Sequence, residues 1–209
     1  MYEQARRDPE GFWAGFAREL HWFRPWHQVL QWEPPHARWF LGGQTNLSYN
    51  CLDRHLAEKG GKTALLWEGE PGETRSLTYG ELHEEVCRCA NTLRGLGVNR
   101  GDRVCLYLPP VPELVIAMLA CARIGAVHNV VFSGFSPEAL RERINDAGCR
   151  LLVTADGAYR RGQLLRPKEA ADKALEGCPT VEKVVVVRRA GQGAPMTPGR
   201  DLWWHEARA

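Results

Sequence analysis

The pattern of apolar and polar positions is clearest between residues 103 and 136, where three apolar runs follow one another. Residues 103–108 favour a strand and end at two prolines, which cannot donate to a ladder of strands. Residues 112–124 are almost uniformly apolar and predict a buried helix closed by Gly125, and residues 126–132 predict a second strand without in-out alternation. This order predicts two parallel strands joined by a helix, all three covered on every side.

The pattern continues toward the C-terminus. Ser136, Pro137 and Glu138 have the form of a helix start, so a helix is expected over residues 137–147. Further runs predict a strand, a helix and another strand, over residues 151–154, 168–175 and 182–187. The fold class expected is therefore α/β, with a mostly parallel sheet flanked by helices.

The region before this stretch predicts a hairpin and a long helix. Residues 62–68 and a strand ending at Leu77 are joined by a loop that contains Pro71 and Gly72. The stretch from Thr78 to Glu81 then has the form of a capping box, which marks a helix start. One apolar face of that helix carries Leu82, Val86, Cys89, Ala90 and Leu93.

Residues 1–58 differ in composition and predict a separate, mainly helical and extended segment before a partial domain over residues 59–209. Five of the eight tryptophans lie in this first segment: Trp13, Trp22, Trp26, Trp32 and Trp39. A helix over residues 9–20 presents an aromatic stripe, predicted to dock onto a larger body because it lacks the basic face of a membrane-surface helix. Beyond it we expect extended chain after Pro35, a turn over residues 39–46 and a short helix over residues 50–57.

Composition and charge exclude several classes of function. The 27 basic and 25 acidic side chains give a net charge of +2, so nucleic acid is not an expected partner. The longest apolar run, near Ile116, is well short of the ~20 residues that span a bilayer. The seven cysteines are dispersed, which predicts reduced thiols in the cytoplasm and no metal site. The charged N-terminus does not have the form of a signal peptide, and no membrane partner is expected.

The carboxyl edge of the predicted sheet is where a ligand is expected, because open α/β sheets bind ligands there. Ser133, Gly134 and Phe135 follow the second strand, and Arg160 and Arg161 lie in a loop over residues 156–162 that follows the next. Two arginines beside open N–H groups of a helix start suit a phosphate, although an exposed basic loop without a ligand remains an alternative. No motif predicts a catalytic residue.

Several strings along the chain resemble one known family. They are WFLGGQTN at residues 39–46, YNCLDRH at 49–55, TYGEL at 78–82, GDRV at 101–104, AMLACARIGAVH at 117–128 and GRDLWW at 199–204. Together they resemble the N-terminal portion of acetyl-CoA synthetase, an AMP-forming short-chain acyl-CoA synthetase of the adenylate-forming superfamily. The resemblance implies the first part of that family's large domain. It also implies a ligase that converts acetate and ATP to acetyl-AMP and then acylates CoA.

The resemblance implies part of a CoA site and no catalytic residue or metal ligand in this chain. The implied CoA-binding residues are Phe132, Ser133, Gly134, Arg160, Arg161, Gly162 and Gln163. In the family the sites for ATP and Mg²⁺ and the acyl pocket lie beyond residue 209. Gln163 stands where the family usually has arginine or lysine, and Ser133 replaces a frequent glycine, so we expect weakened CoA binding.

The leading hypothesis is the N-terminal portion of an acetate–CoA ligase, inactive alone and completed by the remainder of the enzyme as partner. Its small-molecule substrates would be acetate, ATP and CoA. One alternative is a truncated, non-catalytic paralogue that serves as a CoA-binding or protein-association module. A propionyl-CoA synthetase fragment is a further alternative, because no acyl-pocket residue is present.

Overall fold

The computed structural model describes residues 1–191 and 193–207. Its helices are α1 (Tyr2–Arg7), α2 (Pro9–Ala17), α3 (Leu47–Cys51), α4 (Leu56–Lys59), α5 (Tyr79–Gly95), α6 (Pro112–Ile124), α7 (Pro137–Ala147), α8 (Pro167–Leu175) and α9 (Trp204–Ala207), with a 3-10 turn at Asp53–His55. Its strands are β1 (Gln28–Glu33), β2 (His36–Leu41), β3 (Thr63–Glu68), β4 (Thr74–Thr78), β5 (Arg103–Leu106), β6 (Val127–Val130), β7 (Leu151–Ala155), β8 (Ala158–Arg160), β9 (Gln163–Leu165), β10 (Lys183–Val187) and β11 (Asp201–Trp203).

A five-stranded parallel sheet organises the protein, in the order β11-β10-β7-β5-β6. Successive side chains of β7 point to opposite faces, so Val153 packs against one apolar core and Leu152 against the other. α5 and α6 cover the first core, and α7 and α8 cover the second. The prediction of an α/β fold with a mostly parallel sheet flanked by helices is confirmed.

Local sequence signals set the ends of the long helices. Thr78 and Glu81 form the predicted capping box at the start of α5, with each side chain bonded to the other residue's backbone N–H. α6 ends at Gly125 and α7 at Gly148, both in the left-handed conformation that glycine adopts without steric cost. These boundaries agree with the sequence predictions.

The second strand of the central stretch, β6, corrects one expectation. It is an edge strand, and within the described part of the chain only β5 pairs with it. Val127 and Val130 are therefore about half exposed, at 53% and 46%. The prediction that all three central elements are covered on every side is wrong for β6, because an apolar run does not reveal a strand's place in the sheet.

The N-terminal segment contains a β-hairpin that the sequence pattern did not indicate. β1 and β2 pair antiparallel around a turn at Pro34 and Pro35, so the turn predicted over residues 39–46 begins as strand. The helix predicted over residues 50–57 is broken into α3, the 3-10 turn and α4. Cross-strand pairing and packing against α6 override these weak local preferences.

The segment is attached to the sheet domain through polar contacts. The Asn46 side chain donates to the carbonyl oxygens of Ala122 and Arg123 at the end of α6, at 3.0 and 3.2 Å. Asp53 pairs with Arg123 at 2.5 Å. The aromatic stripe is only partly docked, because Trp13 and Phe16 stay 47% and 45% exposed. The domain boundary predicted at residue 58 stays a prediction.

Two observations bear on the protein's surroundings. All seven cysteines are thiols rather than members of disulfides. Among the described residues, none of the helices combines the length and the hydropathy that crossing a bilayer requires. The cytoplasmic location stays a prediction.

Candidate functional site

Four loops meet beyond the carboxyl edge of the parallel sheet. They follow β5, β6, β7 and β10, the strands that run side by side in the same direction. The tip of the β3–β4 hairpin, residues 67–73, packs against three of these loops. This edge is the candidate functional site, as expected for an open parallel sheet.

The loop after β6 forms a tight turn with two half-exposed aromatic rings. The Phe135 N–H donates to the Phe132 carbonyl oxygen at 3.0 Å, and the Tyr107 hydroxyl donates to the Phe135 carbonyl oxygen at 2.8 Å. The two phenylalanine rings meet edge to face, with centroids 5.8 Å apart. Ser133, which lies between the two phenylalanines in sequence, is buried. The turn is thus held rigidly while the rings remain open to a ligand.

The segment over residues 156–162, predicted as a loop, is largely part of a third hairpin. β8 and β9 pair antiparallel, with Arg160 opposite Gln163. Arg161 and Gly162 occupy the turn with φ of 53° and 73°. Positive φ at both central residues suits a two-residue hairpin, and Gly162 adopts it readily, whereas Arg161 does so at some cost. The signal in the sequence was Gly162 in a two-residue connection between Arg160 and Gln163, which is typical of a tight hairpin.

The structure brings the two predicted groups of site residues together. The Arg160 guanidinium lies over the Phe132 ring, 5.0 Å from its centroid. A Cβ atom added to Gly134 would lie 2.6 Å from Arg160 Nη1 and 2.5 Å from Phe132 Cε1, so a larger residue would displace these two side chains. Gln163 is exposed beside Arg160 on the paired strand. Their role as a CoA site stays a prediction.

The two arginines of the β8–β9 hairpin lack acidic partners in the described part of the chain, unlike Arg189 at the same edge. Within residues 1–191 and 193–207, neither Arg160 nor Arg161 makes an ion pair. Arg143 of α7, which sequence reasoning missed, lies over the Phe135 ring at 4.6 Å. Two guanidinium groups therefore flank the Phe132–Phe135 pair, an arrangement that suits a ligand with both phosphate groups and a planar ring.

The start of α7 is less open than the sequence suggested. Ser136 Oγ accepts the Ala139 N–H at 3.3 Å, and Pro137 has no N–H. The pKa of the Glu138 carboxyl lies below its ordinary value, because its own backbone N–H and then Ser136 hydrogen-bond to it. The prediction that this helix start offers open N–H groups is wrong for these positions, since neighbouring side chains already use them.

The loops after β7 and β10 are joined by one carboxylate. Asp156 is buried and accepts the backbone N–H groups of Arg189, Ala190 and Gly191 at 2.6, 2.9 and 3.0 Å. This concave row of N–H groups resembles those that bind anions, but here the protein fills it itself. The contact fixes the β10 loop beneath the β8–β9 hairpin.

A cleft of about 460 Å³ lies between the hairpin tip and these loops. Trp67, Glu70, Pro110, Tyr159 and Arg189 line it. The Arg189 guanidinium lies over the rings of both Trp67 and Tyr159, at 5.1 and 4.9 Å, and pairs with Glu73. Sequence reasoning missed these residues, because nothing in the linear pattern connects the β3–β4 hairpin with the sheet edge.

A second charged cluster lies away from this edge, between α8 and β11. The Lys168 side chain is 1% exposed, and its Nζ atom contacts Asp172, Asp201 and the Pro195 carbonyl oxygen at 2.7, 2.9 and 2.8 Å. Arg200 binds both carboxylates at 2.6 Å. Burial acts to raise the pKa of Asp201, but hydrogen bonds from Arg200 and Lys168 lower the pKa below its ordinary value.

Fold and site together define an open α/β protein with a ligand edge at the carboxyl ends of its strands. Residues 52–206 match the family model described as AMP-binding enzyme, and residues 1–51 match the model described as acetyl-coenzyme A synthetase N-terminus. The chain belongs to the AMP-binding enzyme family.

Individual relatives agree with this assignment. The acetyl-coenzyme A synthetase of Rubrobacter xylanophilus is 60% identical over 208 residues, which cover 99% of this chain and 32% of that protein. The acetyl-coenzyme A synthetase of Gemmatimonas aurantiaca is 57% identical, with coverage of 98% and 32%. Among solved structures, acetoacetyl-CoA synthetase from Streptomyces lividans matches with a TM-score of 0.91 and 28% identity, over 99% of this chain and 32% of that one.

The chain thus spans about a third of the length of the relatives it matches. The predicted resemblance to the N-terminal portion of acetyl-CoA synthetase is confirmed by both family models and by these identities.

Proposed function

We propose that this chain is the N-terminal portion of an acetate–CoA ligase, which activates acetate with ATP to acetyl-AMP and transfers the acetyl group to CoA. Within that ligase the chain supplies part of the CoA site, while ATP and Mg²⁺ bind to the remainder. The residues assigned to CoA are Phe132, Ser133, Gly134, Arg160, Arg161, Gly162 and Gln163. Relatives named acetyl-coenzyme A synthetase, at 60% and 57% identity, favour acetate over propionate.

The contact between Arg160 and the turn after β6 carries this proposal. A guanidinium that makes no ion pair with any described residue lies over a half-exposed phenylalanine, at the edge of the sheet where ligands bind. Arginine binds phosphate through several N–H donors, and an aromatic face can stack on a nucleobase. The nucleotide end of CoA, with its adenine, diphosphate and 3′-phosphate, has this combination of groups.

Calorimetric titration of the 209-residue chain with CoA and with dephospho-CoA tests the proposal. We expect CoA to bind more tightly, because dephospho-CoA lacks the 3′-phosphate. Arg160→Ala should weaken CoA binding about tenfold, the effect of losing one charge-assisted contact.

Arg18→Ala is the matched control, because Arg18 is exposed at the end of α2, outside the loops of the sheet edge. This variant should bind CoA like the parent chain. Absence of CoA binding, or the same loss of affinity in both variants, contradicts the proposal.

The proposal assigns no catalytic residue to this chain. The 209 residues contain no Ser/Thr/Gly-rich phosphate loop, so the proposal assigns the ATP phosphates to the remainder of the ligase. We expect no acetyl-CoA when the chain is mixed with acetate, ATP, Mg²⁺ and CoA. Thioester formation in that assay contradicts the assignment.

A further inference from the structure

The hairpin tip, residues 67–73, is fixed against three loops of the sheet edge. Trp67 Nε1 donates to the Pro110 carbonyl oxygen in the loop after β5, at 2.6 Å. Arg189, in the loop after β10, lies over the rings of Trp67 and Tyr159 and pairs with Glu73. The tip therefore has a defined position relative to the proposed CoA site.

Glu70 makes the contact that reaches the β8–β9 turn. Its carboxylate accepts the Gly162 N–H at 2.5 Å, across 92 positions of sequence. In a two-residue hairpin the strand pairing uses the N–H of Gln163, so the Gly162 N–H needs a partner from outside the hairpin. A hydrogen bond to an ionised acceptor is among the stronger ones available to it.

The turn that Glu70 contacts has an unfavourable backbone at Arg161, with φ of 53°. Such a conformation persists only where surrounding contacts determine it. This turn follows β8 directly. The last residue of β8, Arg160, lies over Phe132 and beside Gly134. A shift of the turn would move the guanidinium that we assign to CoA.

We propose that Glu70 is a positioning residue for CoA binding, which holds the Arg161–Gly162 turn so that Arg160 faces the ligand. The inference rests on the proposed function. Glu70 carries a negative charge near a site for a polyanion, so its electrostatic effect on CoA is repulsive. By holding the turn in place, Glu70 should strengthen CoA binding. Removing its charge and removing its hydrogen bond should therefore change CoA affinity in opposite directions.

Two substitutions at this position separate the effects. Glu70→Gln removes the charge but keeps an oxygen that can accept the Gly162 N–H, so CoA affinity should stay equal or rise. Glu70→Ala removes both the charge and the acceptor oxygen. Because we infer that loss of the positioned turn outweighs loss of the repulsive charge, this variant should weaken CoA binding about five- to tenfold. Glu68→Ala is the control, because Glu68 lines the same cleft and makes no ion pair within the described ranges.

Hydrogen exchange of the Gly162 amide, measured without CoA, gives a second readout. Glu70→Ala should raise the exchange rate of this amide, whereas Glu70→Gln and Glu68→Ala should leave it near that of the parent chain. Thermal melting of each variant shows whether the fold is retained.

The outcomes distinguish the two proposals. CoA binding in the parent chain together with unweakened binding in Glu70→Ala overturns the positioning role and leaves the proposed function standing. Absence of CoA binding in the parent chain overturns the proposed function. The exchange measurement then decides whether Glu70 fixes the turn, and an unchanged rate in Glu70→Ala overturns that role as well.

Discussion

Two groups of cations, one between α8 and β11 and one at the carboxyl edge of the sheet, have different surroundings. Lys168 and Arg200 lie between α8 and β11, where each contacts two carboxylates and Lys168 is almost wholly buried. Arg160 and Arg161 lie at the carboxyl edge, exposed and without ion pairs within residues 1–191 and 193–207. The first group is complete within the protein, and the second has donors left for a ligand.

The difference shows how structural and ligand-binding charges can be distinguished. A buried cation must be paired, because desolvation without a partner costs several kcal/mol. An exposed arginine held by stacking on an aromatic ring has lost side-chain freedom without using its donors. An arginine that is held in place by stacking, with N–H donors left over, therefore indicates a binding site more clearly than charge alone.

The largest effect is expected in the buried cluster. Lys168→Met removes one of the two cations that contact Asp201 and leaves Arg200 as its partner, so we expect a loss of about 1.5–3 kcal/mol in the free energy of unfolding. Urea denaturation followed by circular dichroism measures this loss. Lys173→Ala on the exposed side of α8 is the control and should change stability by less than ~0.5 kcal/mol. A loss below ~1 kcal/mol in Lys168→Met contradicts the structural role.

A smaller effect is expected at the turn after β6. Gly134→Ala places a methyl group against Phe132 and Arg160, so the stacked pair must separate. Because both displaced side chains are exposed, we expect a loss of at most ~1 kcal/mol in stability but weaker CoA binding, measured by thermal melting and calorimetry. Gly95→Ala is the control, because a Cβ at Gly95 meets no atom within 4 Å. Unchanged CoA binding in Gly134→Ala argues against this turn as part of the site.

The buried cluster also predicts a dependence of stability on pH. The pKa of Asp201 in the folded protein is below its ordinary value of 3.8. Its stabilising contribution is therefore complete above that value and is lost as pH falls through the folded pKa. Thermal melts from pH 7 to pH 3 should show the difference between the parent chain and Asp201→Asn shrinking below about pH 4. A constant difference over this range contradicts the prediction.

The smallest effect is expected from adding a cation at the open edge. Gln163→Arg places a guanidinium opposite Arg160, and we expect CoA affinity to rise about two- to fivefold, as for an exposed ion pair of ~0–1 kcal/mol. The gain should disappear with dephospho-CoA and at high salt. Gln163→Met, a similar length without charge, is the control. An equal gain in both variants indicates an effect of size rather than charge.

Much of the sheet edge could be predicted from residues close in sequence. Apolar runs indicated β5, α6 and β7, and Gly125 marked the end of α6. The rule that ligands bind beyond the carboxyl ends of parallel strands predicted Gly134 and Arg160 as site residues. The β8–β9 hairpin was missed, because its strands are short and Arg161 is an uncommon residue at a positive φ.

The sequence by itself determined the types of the main elements, their caps and the family resemblance, because these depend on neighbouring residues in the chain. Only the tertiary structure decided that β6 lies at an edge, that Lys168 is paired and that Glu70 contacts Gly162. Each of these features joins residues that are distant in sequence or depends on strand order. Such pairings arise from packing of the whole chain, and no local pattern contains them.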